Sequence, residues 1–209
     1  MLEDARKRMA EAVMEGLKRR NMDSYYCADG EAAAKLVLEM IEPEAKVTWG
    51  GSNTVKSLGI PERLKERGQA IIEYPEEEKK AAGSPVYQEV VGADYFLMGC
   101  NAITVKGELI NIDGASNRVA CLVHGPKHVI IVAGLNKLVK TVEEGIDRVQ
   151  TQVCPIIADA TGRKTPCGIK GICTNCNSPE CMCCNIVVTR HSRYDGRIRV
   201  ILVGEPLGM

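Results

Sequence analysis

Aromatic side chains are scarce in this chain, with one Phe, one Trp and six Tyr in 209 residues. That leaves little for the stacking platforms on which single-stranded nucleic acids are bound. Net charge is missing as well. Lys plus Arg number 27 and Asp plus Glu 27, so no overall field draws the chain to a phosphate backbone or an anionic lipid surface. Neither nucleic acid nor membrane is an expected partner, and no apolar run approaches the ~20 residues that span a bilayer. The opening MLEDARKRMAEAVMEGLKRR is charged and amphipathic without an apolar centre, unlike a secretory signal. The expectation is a cytoplasmic protein whose thiols stay reduced. With three histidines, no Ser-His-Asp or Cys-His constellation stands out. G-x-G-x-x-G is absent, and no internal repeat or low-complexity linker divides the chain, whose length suits one domain over residues 1–209.

What is present is an alternation of strand-like and helical segments. Leu2, Ala5, Met9, Val13 and Leu17 recur at helical spacing, predicting an amphipathic helix over residues 2–20 that Asn21 can end. A short apolar piece, SYYCA, precedes Asp29, a good N-cap for GEAAAKLVLEMI. KVTW, QAIIEY, DYFLMG and HVIIVAG are short, β-rich and bounded by turn residues. VIIVAG is apolar almost throughout, as in a strand covered on both faces. Thr141 and Glu144 form a capping box ahead of EEGIDRVQTQV. NIVVTRH and RIRVILVGEPLG read as two closing strands, a hairpin around YDG. The sum predicts an α/β domain with a largely parallel sheet.

Three loops carry chemistry on this reading. In VTWGGSNTVKSLGI a strand runs through Gly50, Gly51, Ser52, Asn53 and Thr54 into a helix, presenting backbone N–H groups and two hydroxyls to an anion; a plain tight turn with an N-cap uses the same residues. In GCNAITVKGELINIDGASNRVA, the residues Cys100, Asn101, Asn111, Asp113, Ser116, Asn117 and Arg118 crowd loops around a hairpin with its tip at Lys106-Gly107. Asp113 could act as a general acid or base and Arg118 as an anion clamp, although Asp-Gly and Asn are also ordinary turn formers. In VAGLNKLVKT a buried strand delivers Asn136 and Lys137 to the same sheet edge, where a solvated lysine is the plain alternative. Together these loops predict a crevice for a small anionic metabolite. Cys121 and His124 are expected to serve packing and local hydrogen bonding.

The segment TPCGIKGICTNCNSPECMCCN, residues 165–185, holds six of the ten cysteines. A reducing compartment disfavours disulfides, and a C-x-x-C redox pair normally opens a helix after a strand, whereas Pro, Gly and Asn surround Cys173 and Cys176. A thiolate metal site is the remaining reading, built on Cys167, Cys173 and Cys176. Zinc ribbons usually offer two C-x-x-C knuckles and this run has one, which favours a 4Fe-4S cluster with zinc as the alternative.

GGSNTVKSLGI, GADYFLMGCNAITVKGELINIDGASNRVA, HGPKHVIIVAGLNKLVKTVEEGIDRV, TPCGIKGICTNCNSPE and RVILVGEPLG give the whole chain its resemblance to the LUD domain family, the lactate-utilisation proteins. The resemblance implies a Rossmann-like fold of the glucosamine-6-phosphate isomerase, ribose-5-phosphate isomerase and CoA-transferase group, with a C-terminal cysteine-rich metal-binding segment. It matches Gly50, Gly51, Ser52 and Thr54 to that group's phosphate-binding turn. A likeness to the loop of isomerases related to translation initiation factor 2B raises Asp113 as a catalytic candidate. The family carries one cysteine after N-S-P-E, where this chain has Cys181, Cys183 and Cys184; the usual six-residue gap after Cys176 selects Cys183 as fourth ligand, with Cys181 and Cys184 as alternates. The implied function is oxidation of lactate or a similar small hydroxy acid alongside iron-sulfur and redox partner proteins, in a chain that could also assemble as a homo-oligomer. Rival readings are an isomerase or acyl-transfer enzyme acting on a phosphorylated or CoA-linked metabolite, and a non-enzymatic metal-stabilised or electron-transfer module.

Overall fold

The computed structural model describes residues 2–73 and 83–209. Helix α1 (Leu2–Arg19) leads into strand β1 (Asp23–Cys27), then α2 (Gly30–Glu39), β2 (Val47–Trp49), α3 (Asn53–Ser57), α4 (Ile60–Glu66), α5 (Pro85–Val91) and β3 (Tyr95–Gly99). The hairpin β4 (Ala102–Thr104) and β5 (Leu109–Asp113) precedes α6 (Asn117–Val123) and β6 (His128–Gly134). A short 3-10 turn at Leu135–Lys137 joins β6 to β7 (Leu138–Val139). After it come α7 (Val142–Arg148), α8 (Cys154–Ala160), α9 (Pro166–Lys170), β8 (Asn185–Thr189) and β9 (Ile198–Val203).

Five strands form an all-parallel sheet in the order β1-β9-β6-β3-β2. The central strands are buried on both faces because successive side chains point to opposite sides. Along β6, Val129, Ile131 and Ala133 face the core beneath α1, α5 and α6, while Ile130 and Val132 face the core beneath α2, α3 and α4. The α/β architecture is thus a Rossmann-like arrangement of helices on both faces of a mostly parallel sheet, with a second mixed sheet, β7-β4-β5-β8, beside it. One face of that sheet packs Ala102, Ile110 and Ile112 against Val149, Val153 and Cys154.

Local signals set several boundaries. Asp29 Oδ1 accepts from Ala32 N–H at 2.8 Å, and Thr141 Oγ1 accepts from Glu144 N–H at 3.2 Å. The Glu144 carboxylate returns to Lys140 N–H, one residue outside the expected box. Four expectations need correction. QAIIEY is not a regular strand: Ile71 makes one isolated bridge to Val47, and Tyr74 lies outside the described residues. The closing strands are no hairpin, because β8 pairs antiparallel with β5 while β9 inserts in parallel between β1 and β6. On α1 the buried stripe is Ala10, Val13 and Leu17, with Met9 half exposed at 51%. The helix at 142 does not stop at Val153. It passes through a π turn at Val149–Val153 into α8, and the wide turn accommodates Pro155, which lacks the N–H an α turn would use.

The hairpin tip is locked to α1. A Cβ on Gly107 would lie 2.5 Å from Leu17 N and 2.6 Å from Gly16 C, at a φ of 87°. Arg20 adds a donor to Lys106 O at 2.7 Å and an ion pair to Glu108. Gly107→Ala is therefore expected to lower unfolding free energy by at least ~1–3 kcal/mol from the left-handed backbone alone. Denaturant unfolding with an unchanged midpoint would contradict this packing.

Candidate functional site

Strands β2, β3 and β6 are neighbours in the parallel sheet, so the loops at their carboxyl ends converge. There they enclose a cleft of about 340 Å3, near the lower end of the ~300–1,000 Å3 usual for small-molecule sites. Gly51, Ser52, Asn53 and Thr54 form one side, Asn101, Asp113, Asn117 and Arg118 another, and Lys137 the third. All three loops predicted to meet do so. Gly50 and Asn136 are not among the lining residues and support it from behind. A Cβ on Gly50 would press on the Arg118 stem at 3.1 Å, and Asn136 Oδ1 accepts from Leu207 N–H at 3.1 Å, holding the residues after β9.

Lys137 is not a solvated lysine. It is 4% exposed, its Nζ reaches Thr54 Oγ1 at 3.4 Å, and no carboxylate pairs with it among the described ion pairs. Burial, with Arg148 and Arg118 nearby, pulls its pKa down to about 8, against a smaller opposing pull from Cys100. Gly99 makes room beside it, since a Cβ there would sit 3.0 Å from Ser52 Oγ and 3.8 Å from Lys137 Nζ.

Arg118 is largely committed within the protein. Nη1 donates to Asn111 Oδ1 at 2.9 Å, Nη2 to Asn101 Oδ1 at 3.0 Å and Ile112 O at 2.6 Å, and Nε lies 3.6 Å from Asp113 Oδ2. Three of its five N–H groups thus donate to protein acceptors while Nε faces Asp113 as an ion pair, so it contributes field more than a free clamp. Asp113 is engaged too: Oδ1 accepts from Ser116 N–H at 3.0 Å and Oδ2 from Val119 N–H at 3.2 Å, anchoring the start of α6. It remains the one side-chain carboxylate among the lining residues. Cys100 is a buried thiol, pushed up by burial and donating to Ala102 O at 3.0 Å.

The cysteine run lies against this cleft. A Cβ on Gly114 would lie 2.9 Å from Cys181 O, and Met182 and Cys154 line the cleft wall. Arg163 Nη1 donates to Glu180 O at 3.1 Å, and Glu180 Oε2 accepts from Lys164 N–H at 2.7 Å, fastening the run to the end of α8. All ten cysteines are free. Cys181 and Cys183 sulfurs are 3.4 Å apart, Cys173 Sγ accepts from Asn175 N–H at 3.4 Å, and Cys167, on α9, contacts Thr165 Oγ1 at 3.2 Å. No group of three or more His, Cys, Asp or Glu is already gathered at metal-holding distance among the described residues. The predicted set of Cys167, Cys173, Cys176 and Cys183 therefore shares one neighbourhood without being assembled.

The family model for the LUD domain matches residues 10–203. The chain belongs to the LUD domain family. Among solved structures it is similar to a DUF162 family protein from Deinococcus radiodurans, at 15% identity and a TM-score of 0.53, covering 95% of this chain and 98% of that one. It is also similar to eIF2B beta from Chaetomium thermophilum, at 14% identity and a TM-score of 0.36, over 53% of this chain and 43% of that chain. No curated protein matches in sequence.

In this LUD domain the sequence reading missed Cys154, Arg163 and Gly208 at the cleft. Cys154 follows what looked like a helix end, Arg163 looked like surface charge, and Gly208, whose Cβ would meet Thr54 Oγ1 at 2.6 Å, lies in the residues after β9. None carried a local motif. The described helices include none long and apolar enough to cross a membrane.

The Lys137 shift fixes a pH dependence. Its folded pKa lies below the ordinary value of 10.5, so burial of the charged form costs stability in full below about 8, and its contribution improves as pH rises from there towards 10.5. Anion affinity has the opposite trend, because only the ammonium attracts the ligand. Oxalate affinity measured by calorimetry should fall roughly tenfold per pH unit above pH 8. A flat profile between pH 7 and 10 would remove Lys137 as the binding cation.

Proposed function

We propose that this protein takes part in the oxidation of lactate or a similar small hydroxy acid, binding the acid in the cleft and passing its electrons to iron-sulfur and redox partner proteins. The observation that carries this is a buried ammonium, Lys137, with no carboxylate partner among the described residues. An isolated charge in such a site is costly, and a small carboxylate offsets that cost. Ser52 and Thr54 hydroxyls lie beside it, and the absent Gly99 side chain leaves the space. Asp113 is then the base for the hydroxyl proton, oriented by Arg118.

No flavin or nicotinamide fingerprint is present in the sequence, so the chain would not carry out the two-electron oxidation alone, and the redox partner proteins would supply the two-electron acceptor. The donor set supports a 4Fe-4S cluster at Cys167, Cys173, Cys176 and Cys183, with zinc as the alternative and Cys181 or Cys184 as alternates, because free thiols crowd one loop without forming disulfides. Asn175 N–H donates to Cys173 Sγ at 3.4 Å, holding that sulfur in place in the loop. A bound cluster would supply a one-electron relay towards the redox partners, whereas zinc would supply only structural support.

Lys137→Met is expected to abolish the melting-temperature rise produced by lactate, pyruvate or oxalate while leaving the fold intact. Stabilisation of wild type by sugar phosphates alone would favour an isomerase-type site. Asp113→Asn is expected to reduce turnover by about 10²–10⁴-fold, the usual span for a lost general base, with oxalate affinity little changed. Undiminished turnover would leave Asp113 as the anchor of α6 and nothing more.

A further inference from the structure

Three of the four buried cysteines sit among groups other than thiols. Cys27 has Asp29 as its charged neighbour, Cys121 has Tyr87, Arg197 and Asp113, and the main neighbours of Cys100 are Lys137, Arg118 and Asn111. Cys154 differs. Placed on α8, well before the run at 167–184, it is 5% exposed, lies in hydrogen-bonding reach of Cys183, and has Cys167, Cys173 and Cys181 as its electrostatic neighbours. Cys183 in turn touches Cys181 at 3.4 Å, and Cys181 is in hydrogen-bonding reach of Cys176. A chain of sulfurs therefore runs from the exposed loop to the buried helix.

We propose that Cys154 takes one of the four ligand positions of the metal centre held by the cysteine run, in place of one of Cys167, Cys173, Cys176 and Cys183, and that this centre forms one wall of the anion cleft. The inference rests on the thiolate-centre reading given above and adds a ligand that no spacing motif contains. Thiolates around one tetrahedral ion at ~2.3 Å are about 3.8 Å apart, close to the Cys181–Cys183 separation of 3.4 Å, and Cys167 and Cys183 pack against the same cluster as Cys154. Between Gly171 and Cys184 the run has no helix or strand, whereas Cys154 is fixed in α8 against Val149, Val153 and Ile112. On this proposal the loop ligands gather on the one held in a helix. Cys154 and Met182 line the same cleft as Lys137, so an ion gathered by Cys154 borders that cleft.

The test uses the full chain, purified anaerobically and loaded with either Zn2+ or Fe2+ plus sulfide, which separates the two forms of the centre. Cys154→Ala should weaken metal binding by at least ~100-fold, since losing even an outer-shell partner of a ligand costs roughly 10–100-fold. Cys121→Ala, a buried cysteine away from the run, should bind metal like wild type. Co2+ substitution supplies a count independent of activity: sulfur-to-metal charge-transfer intensity should drop by about a quarter if one of four thiolates is lost. Comparing metal-free unfolding of the variants with metal-free wild type separates ligand loss from misfolding. Full metal content and unchanged Co2+ intensity in Cys154→Ala would overturn the inference while leaving a centre on the run intact. Failure of wild type to bind either metal would overturn the centre itself. Oxalate affinity should differ between metal-loaded and metal-free wild type, by the reciprocity of linked sites; equal affinities would overturn the shared wall. None of these readouts depends on Lys137→Met, which tests the lactate reading separately.

Discussion

A buried ammonium with no carboxylate partner among the described residues is the constraint around which the sheet edge is arranged. Lys137 reaches its place because β6, buried on both faces, ends in a tight 3-10 turn that points the side chain back under Gly99 and towards Thr54. The one side-chain carboxylate lining the cleft, Asp113, is already shared with Arg118 and with two backbone N–H groups of the α6 start. Arg148 adds more positive field while its guanidinium is spent on the carbonyls of Asn101 and Asn136. A chain with no net charge thus concentrates uncompensated positive charge at one point, where low dielectric makes each interaction count for more than at the surface.

That point is held from two directions. The parallel sheet supplies Ser52, Thr54, Gly99 and Lys137 from adjacent strand ends, and the hairpin sheet supplies Asn101, Asp113 and the residues that position Arg118. The cysteine run closes the third side because β8 pairs with β5 through Asp113↔Asn185, drawing Cys181–Cys184 over Gly114. Asn185 also bonds the Ser116 hydroxyl. The same pairing that frames the anion cleft therefore sets the thiols against it.

The parts legible in the sequence were those with a local cause. Apolar runs such as VIIVAG give a buried strand wherever it lies in the sheet, and Asp29 and Thr141 cap their helices through side chains a few residues away. The loops at 50–54 and 137 were readable because strand ends in a parallel sheet share one edge, whereas the loop at 113–118 follows β5 of the second sheet and was readable only from its crowd of small polar residues. What failed depended on partners far along the chain. QAIIEY has a strand's composition but meets only Val47, and RIRVILV is drawn away from its sequence neighbour by pairing with β1 and β6. Arg118 looked like a clamp because its bonds to Asn101, Asn111 and Ile112 are tertiary. Cys154 shows the same limit, being joined to the cysteine run by helix packing and by no spacing rule.

The central claim is that Lys137 is a buried cation that waits for an external anion. Its side-chain pKa can be followed directly by nitrogen-15 NMR of labelled protein, with the signal assigned by its loss in Lys137→Met. The account predicts titration near pH 8 in the free protein and a clear upward shift when oxalate is bound, because an adjacent negative charge favours the protonated form. Titration near the ordinary lysine value in the free protein, unmoved by oxalate, would contradict it.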